Sequence, residues 1–457
     1  MTLFYFWTLE IPVFLMKKKY FVIITAAHLL LVSADLLIYD YGIGSDALRY
    51  LSAANDFASF NFSGMSPAMH CNTAPGYPLF LAATKLITWH KPLMIALIQS
   101  LLFCMALYYL LVTLFVKGYF SYPMCVVAYA LALFSPEIFQ TNAMLLTESL
   151  CASALLLSCG CLVSGLQKKY TTLLFVISVC FMVLTKFEYI LALPLLLFPL
   201  ISKKKYKPAV ATVFFLMVAL SLNGWKNYLL FEKASPFSFG SGSAMYGGNN
   251  RNGDGSWHFT EKSFDYLPAG SKENYLATLQ LDAQCRCLEQ DSLFKAWVKD
   301  SWKNNAGFQL KIIPLKFLKL WLIPASMDFY TRMTEFTSGL QLKILFDDTI
   351  WPWYGKYKHA FYLIVYWLYA IIIVAGFAIK LLQDKFRSAD LFVLLLFLFL
   401  SFLYSTFFYG LGRFHVPIFA LFVLYSAFTI KYLDARWFKS AIFTRLNRLN
   451  ENQKINR

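Results

Sequence analysis

The sequence predicts an all-α integral membrane protein of about ten transmembrane helices (8–12), with further helices lying at the interface in its outer loops. Three observations predict it. The chain of 457 residues is 59% hydrophobic and only 14% charged, with a mean hydropathy of +0.55, whereas soluble domains carry about 25% charged residues. Too few charges remain to cover a water-exposed surface, so lipid has to be part of the solvent. Ten long apolar runs recur along the chain. Basic residues then collect in short clusters between alternate runs, the pattern of cytoplasmic loops.

Each run is bounded by its neighbours. Lys17 to Lys19 precede an apolar run at 20–39, and nothing resembling a cleavage site follows, so this run reads as a signal anchor rather than a removed leader. The remaining spans are expected at about 92–116, 119–139, 143–165, 170–186, 187–202, 208–225, 358–382, 390–410 and 414–432. Lys117, Lys168-Lys169, Lys203 to Lys205 with Lys207, and Lys380 with Lys385 and Arg387 all fall between spans on one side. That side is the cytoplasm by the positive-inside rule, which puts both chain ends there. The layout is one membrane domain, 1–457, with a first outer loop at 40–91, a second outer loop or cap at 226–357, and a basic tail at 433–457. Within the cap, Phe308 to Ile323 mixes apolar residues with Lys311, Lys316 and Lys319 and reads as a helix on the membrane surface. The 45 Phe and 28 Tyr suit lipid-facing and interfacial positions.

The 41 Lys and Arg against 25 Asp and Glu give a net charge of +16. In a soluble protein this would point to nucleic acid. Here the clusters suit anionic lipid headgroups instead, so membrane lipids are expected partners and nucleic acid is not. Six of the nine cysteines, Cys104, Cys125, Cys151, Cys159, Cys161 and Cys180, fall in apolar runs and read as small core residues. Cys71, Cys285 and Cys287 fall in outer loops. Cys285-Arg286-Cys287 is too tight for an easy local bridge, which leaves a bridge from Cys71 to either of them open.

Candidates for chemistry sit near the outer ends of the spans. Asp46, in Ser45-Asp46-Ala47-Leu48-Arg49-Tyr50, puts a carboxylate in the first outer loop, where it can serve as a general base. The ordinary alternative is a helix N-cap. Glu148 lies near the outer end of the fourth span, as a second carboxylate or as one reaching out to water. Glu137, a little earlier, reads as more exposed. Lys186 and Glu188 flank Phe187 and either neutralise each other or leave Lys186 to hold a phosphate. Arg413 and His415 open the last span; Arg suits bidentate phosphate contact, and headgroup anchoring is its alternative. Gly240 to Gly255 is rich in Gly and Asn and reads as turns, in a substrate lid or a plain surface loop.

Taken in order, these pieces resemble the GT-C superfamily of membrane glycosyltransferases, closest to the branch of the protein O-mannosyltransferases and the aminoarabinose transferase of lipid A. Four patterns carry the resemblance: Asp46-x-x-x-Tyr50 with Ala53-Ala54; Ala74-Pro75-Gly76-Tyr77-Pro78; Thr147-Glu148; and Asn227-Tyr228 through Gly247-Gly248-Asn249-Asn250 to Arg413-Phe414-His415-Val416-Pro417. They run across most of the chain. The resemblance implies a GT-C-like fold and an outer-face enzyme that takes a sugar from a polyprenyl-phosphate donor and passes it to an acceptor glycan, lipid or protein, inverting at the anomeric carbon. It implies Asp46 as base, with Glu148 orienting the acceptor or the sugar. Tyr50, Tyr77, Lys186, Arg413 and His415 would bind substrate, Arg413 and then Lys186 facing the lipid phosphate. Many relatives have an acidic pair in the first loop where this chain has Asp46 alone, which leaves a divalent cation open as a cofactor. The home it implies is the plasma membrane of a bacterium or archaeon. The alternative is a multi-pass transporter or flippase of a lipid-linked or anionic substrate. A transporter would place its polar groups near the midplane, often in paired repeats; this chain has no evident repeat and collects them at one face. A scaffold without catalysis would leave the first-loop carboxylate unexplained.

Overall fold

The computed structural model describes residues 18–39, 45–59, 65–89, 91–251, 253, 260–322, 352–383, 388–408, 412–437 and 441–446. Regular structure among these residues is entirely helical. Apolar runs in lipid have to satisfy their backbone groups internally, and helices do that within one segment. The helices are α1 (Lys18–Tyr39), α2 (Ser45–Ser59), α3 (Pro67–Cys71), α4 (Gly76–Thr88), α5 (Pro92–Val116), α6 (Tyr122–Leu133), α7 (Pro136–Ala143), α8 (Thr147–Ser164) and α9 (Lys169–Thr185). After a 3₁₀ segment at Phe187–Ala192 come α10 (Leu193–Ser202), α11 (Tyr206–Phe231), α12 (Ser241–Asn249), α13 (Ser271–Thr278), α14 (Ala283–Asn304) and α15 (Ala306–Leu322). Then follow α16 (Pro352–Gln383), α17 (Ser388–Phe407), α18 (Val416–Phe422) and α19 (Ser426–Trp437), the last two joined by a 3₁₀ turn into one long segment.

Among the described residues seven helices are long and apolar enough to cross a membrane, or eight if one bent pair is counted, where the sequence predicts about ten. The three discrepancies have local causes. The run expected at 119–139 divides into α6 and α7, bent by 56° where Pro136 interrupts the helix. α9 has 17 residues and ends at Lys186, whose backbone is extended. The following run is part 3₁₀ and part α10, with Pro194 in the first turn and Pro199 inside the helix.

At the centre α5, α8 and α9 pack side by side around Phe103, Leu107, Leu155, Leu156 and Val179. α8 and the segment Val416–Trp437 are the most enclosed long helices, while α1, α11 and α16 expose most of their apolar surface, as lipid-facing helices do. A disulfide joins Cys71 on α3 to Cys287 on α14, which selects one of the two bridges the sequence leaves open. Cys285 is free and exposed, and the six cysteines of the apolar runs are also free.

Three expectations change. Glu137, expected to be more exposed, is fully buried, because α7 is enclosed by α1, α5, α8 and α18. Within the stretch from Gly240, Ser241–Asn249 is not a set of turns but helix α12, packed on α14, and the turn reading holds at Gly240 and where the Gly253 amide donates to the Asn250 carbonyl. Its glycines serve close approach: a side chain on Gly242 would meet the Asp291 backbone, and the Gly242 amide donates to Asp291 Oδ1 at 2.8 Å. Along α15, Lys316 faces inward rather than outward, fully buried, with its Nζ on Asn249 Oδ1 at 2.9 Å.

Candidate functional site

Asp46 stands in the first turn of α2, where a carboxylate meets the positive end of the helix. Its Oδ1 lies 3.2 Å from Arg49 Nη2, one turn on, and its side chain keeps 29% of its surface open. The next residue, Tyr50, sets its ring edge-to-face on Tyr77, with centroids 5.0 Å apart. α2 and α4 are packed together, and this pair is part of their seam.

Tyr77 has no exposed surface. Its hydroxyl donates to Gln99 Oε1 at 3.3 Å, and the Gln99 amide donates to the carbonyls of Asn142 (2.8 Å) and Met144. Burial, then the nearby Tyr50 and Glu148, push the Tyr77 hydroxyl well above the usual tyrosine range. The Pro-Gly-Tyr-Pro turn needs its glycine for packing: a side chain on Gly76 would meet the Thr185 backbone nitrogen at 2.6 Å and the Leu184 carbonyl carbon at 2.7 Å. The start of α4 therefore lies against the last turn of α9, next to Lys186.

Lys186 Nζ donates to Glu148 Oε1 at 2.9 Å, and both side chains are buried. The Thr147 hydroxyl donates to the other Glu148 oxygen at 3.2 Å. The ammonium also sits 4.8 Å from the centre of the Phe414 ring, which stacks on Tyr404. The Tyr404 hydroxyl in turn donates to Glu188 Oε1 at 3.0 Å. Lys186 thus lies in the field of two carboxylates and under an aromatic ring, which is how a buried cation is normally held.

Asp46, Tyr50, Tyr77, Glu148 and Lys186 therefore form one continuous neighbourhood. His415 points the other way. It is fully buried, its Nδ1 donates to the Leu320 carbonyl at 2.5 Å, its ring stacks on Trp321, and its Nε2 lies 3.6 Å from Glu137 Oε2. The Arg413 side chain lies outside the described residues.

Sequence reading missed Gln99 and Tyr404, which gain their roles only from packing, and Arg49, which the i,i+3 spacing from Asp46 could have found. It also missed a second polar cluster beside the disulfide. There His70 Nε2 lies 3.0 Å from Asp56 Oδ2, which also accepts from the Ser66 amide at 3.3 Å, and Lys226 Nζ lies 6.0 Å from the Phe57 ring centre. Burial above all, then the charge of Lys226, lowers the His70 pKa to about 4, while Asp56 pulls the other way. At neutral pH His70 is therefore uncharged, donating through Nε2 to the Asp56 carboxylate.

Comparison with family models, with curated proteins and with solved structures gave no match. The geometry of this chain has to carry the functional reading.

Proposed function

We propose that the protein is a membrane glycosyltransferase that moves a sugar from a polyprenyl-phosphate donor to an acceptor on the outer face, with Asp46 as general base. One observation carries this reading: a partly open Asp46 shares its helix with Tyr50, whose ring packs on Tyr77, and Tyr77 lies in the field of Glu148, which is paired with Lys186 beneath Phe414. In the proposed step an acceptor hydroxyl attacks the anomeric carbon as Asp46 takes its proton. The bond from that carbon to the phosphate oxygen breaks, and its electron pair leaves with the lipid phosphate, giving inversion. Lys186 is already engaged by Glu148 and Glu188, so its part is to fix the local field and hold Glu148 in place. Arg413 remains the candidate for the departing phosphate.

Contacts at helix ends support ten crossings in a GT-C-like bundle. Glu148 opens α8 and Lys186 follows α9, and their contact returns α9 to the end where α8 began. Lys205, after α10, donates to the Gly165 carbonyl at the other end, so the segment 187–202 crosses as well. The Cys125 thiol reaches the Leu111 carbonyl near the end of α5, and Asn142 meets Gln99 near its start, so α6 with α7 also runs the full depth. With α5, α8 and α11 that makes six crossings between Cys71 and Cys287. An even number leaves both cysteines on one side, as their bond requires. Disulfides persist in oxidising compartments, which supports that side as the outer one, with the lysine-rich turns and the chain ends cytoplasmic.

A second reading, a transporter, draws on the Glu137–His415 pair, fully buried inside the bundle, where ionisable groups mark ion and substrate paths. Sugar transfer in membranes supplied with polyprenyl-phosphate sugars separates the two. We expect Asp46→Asn to abolish transfer at unchanged protein level. Full transfer by Asp46→Asn would remove Asp46 as base, and no transfer by the wild type across several donors would favour the transporter.

A further inference from the structure

Two turns at the end opposite the disulfide bring six lysines together. The α8–α9 turn reads Gly165-Leu166-Gln167-Lys168-Lys169 and the α10–α11 turn reads Lys203-Lys204-Lys205-Tyr206-Lys207, with no Asp or Glu in either. The turns are held against each other: Lys205 Nζ donates to the Gly165 carbonyl, and α9 and α11 pack side by side. All of these lysines except Lys205 are exposed.

Neither turn brings an opposite charge of its own, and like charges on adjoining turns repel. Lys169 and Lys207 also stand in the first turns of α9 and α11, where the helix dipole already gathers positive charge and where neither helix has an acidic residue. The two turns concentrate positive charge and supply no counter-charge of their own. The surface just beyond the lysines is apolar and open: Leu173 and Ile177 on α9, Phe198 and Ile201 on α10, and Val210 and Phe214 on α11 are all exposed. A ligand that satisfies both features has an anionic head and long apolar chains.

We propose that this surface binds an anionic membrane phospholipid, its phosphate on the lysines of the two turns and its acyl chains along α9, α10 and α11. The proposal is independent of what Asp46 does, because α11 alone, at 26 residues, separates the two ends by about 39 Å. Charge complementarity chooses the occupant, and the open apolar flanks favour a lipid over a soluble polyanion.

The test uses the full chain in a neutral detergent, with bound lipid counted by native mass spectrometry as phosphatidylglycerol or phosphatidylcholine is added. The wild type is expected to hold phosphatidylglycerol and not phosphatidylcholine, and to release it as salt rises. The triple variant Lys169→Gln/Lys203→Gln/Lys207→Gln changes only exposed side chains and leaves the Lys205 bond in place. It is expected to bind phosphatidylglycerol about a hundredfold more weakly, while the matching triple change to Arg keeps binding. Equal retention of the two lipids, salt-independent binding, or wild-type binding by the Gln variant would overturn the proposal. So would full displacement of phosphatidylglycerol by inorganic pyrophosphate, which would make this a site for soluble anions.

Discussion

Glu148 and Lys186 show how a residue identified from sequence takes its meaning from a partner that sequence does not reveal. Breaking a buried ion pair from one side leaves an uncompensated charge and costs about 3–5 kcal/mol, whereas replacing both partners can be nearly neutral. We therefore expect Glu148→Gln to lower the unfolding midpoint in detergent sharply, and Glu148→Gln/Lys186→Met to recover most of the loss. Equal losses in the single and double variants would argue against a mutually dependent pair. His70 makes a second prediction at this scale. Its folded pKa of about 4 lies below the ordinary 6.5, so the unfolded chain binds more protons between those values. Its contribution to stability is complete above about pH 6.5 and is lost as the pH falls toward 4. Unfolding midpoints at pH 7, 5.5 and 4.5 should fall progressively for the wild type and show a shallower fall for His70→Gln. The place of Asp46 at a helix start was legible because a carboxylate after Gly42 to Ser45, ahead of an amphipathic run, stands out in an apolar chain. Lys226 and Asp56 were not, because their proximity to His70 arises from three separate helices.

At the scale of elements, close backbone approach explains Gly76 and Gly242 better than turn geometry does. Gly76 allows the start of α4 to rest on the end of α9, and any side chain there meets the Thr185 hydroxyl and, just as closely, backbone atoms that cannot swing aside. Gly76→Ala should therefore separate α4 from α9, reducing the unfolding midpoint and lengthening the Tyr50–Tyr77 contact. A spin-label distance between α4 and α9 would detect the separation, and an unchanged distance would count against this account. α12 was misread for the same reason. Gly and Asn suggest turns when considered alone, yet here glycines let a helix approach α14, and Asn249 joins three elements by donating to the Phe407 carbonyl and accepting from Lys316 and Gln309. Hydrophobic runs located the long helices, whereas the break at Pro136 and the short α9 depended on local geometry that a hydropathy average hides.

For the whole molecule, the disulfide is a long-range covalent constraint, linking residues 216 apart. Removing such a bridge typically costs about 2–5 kcal/mol. Cys287→Ser should lower the unfolding midpoint and weaken the docking of α3 on α14, seen as faster hydrogen exchange in α3, Phe239 and Gly240, whose amides bond to the Cys71 carbonyl. Unchanged exchange there would show that packing alone holds this end. The overall helical architecture was legible because lipid imposes a simple rule on composition. The pairing of Cys71 with Cys287 rather than Cys285 was not, since it depends on which face of α14 turns toward α3.

That bond also makes nearly half of the chain a closed covalent loop. Residues 71 to 287 form a ring that contains every helix from α4 to α13. A single protease cut between these cysteines cannot release a fragment until a reductant opens the ring. A clipped sample would migrate as an intact chain on a non-reducing gel and divide into two pieces on a reducing one, reporting the pairing without any measurement of activity.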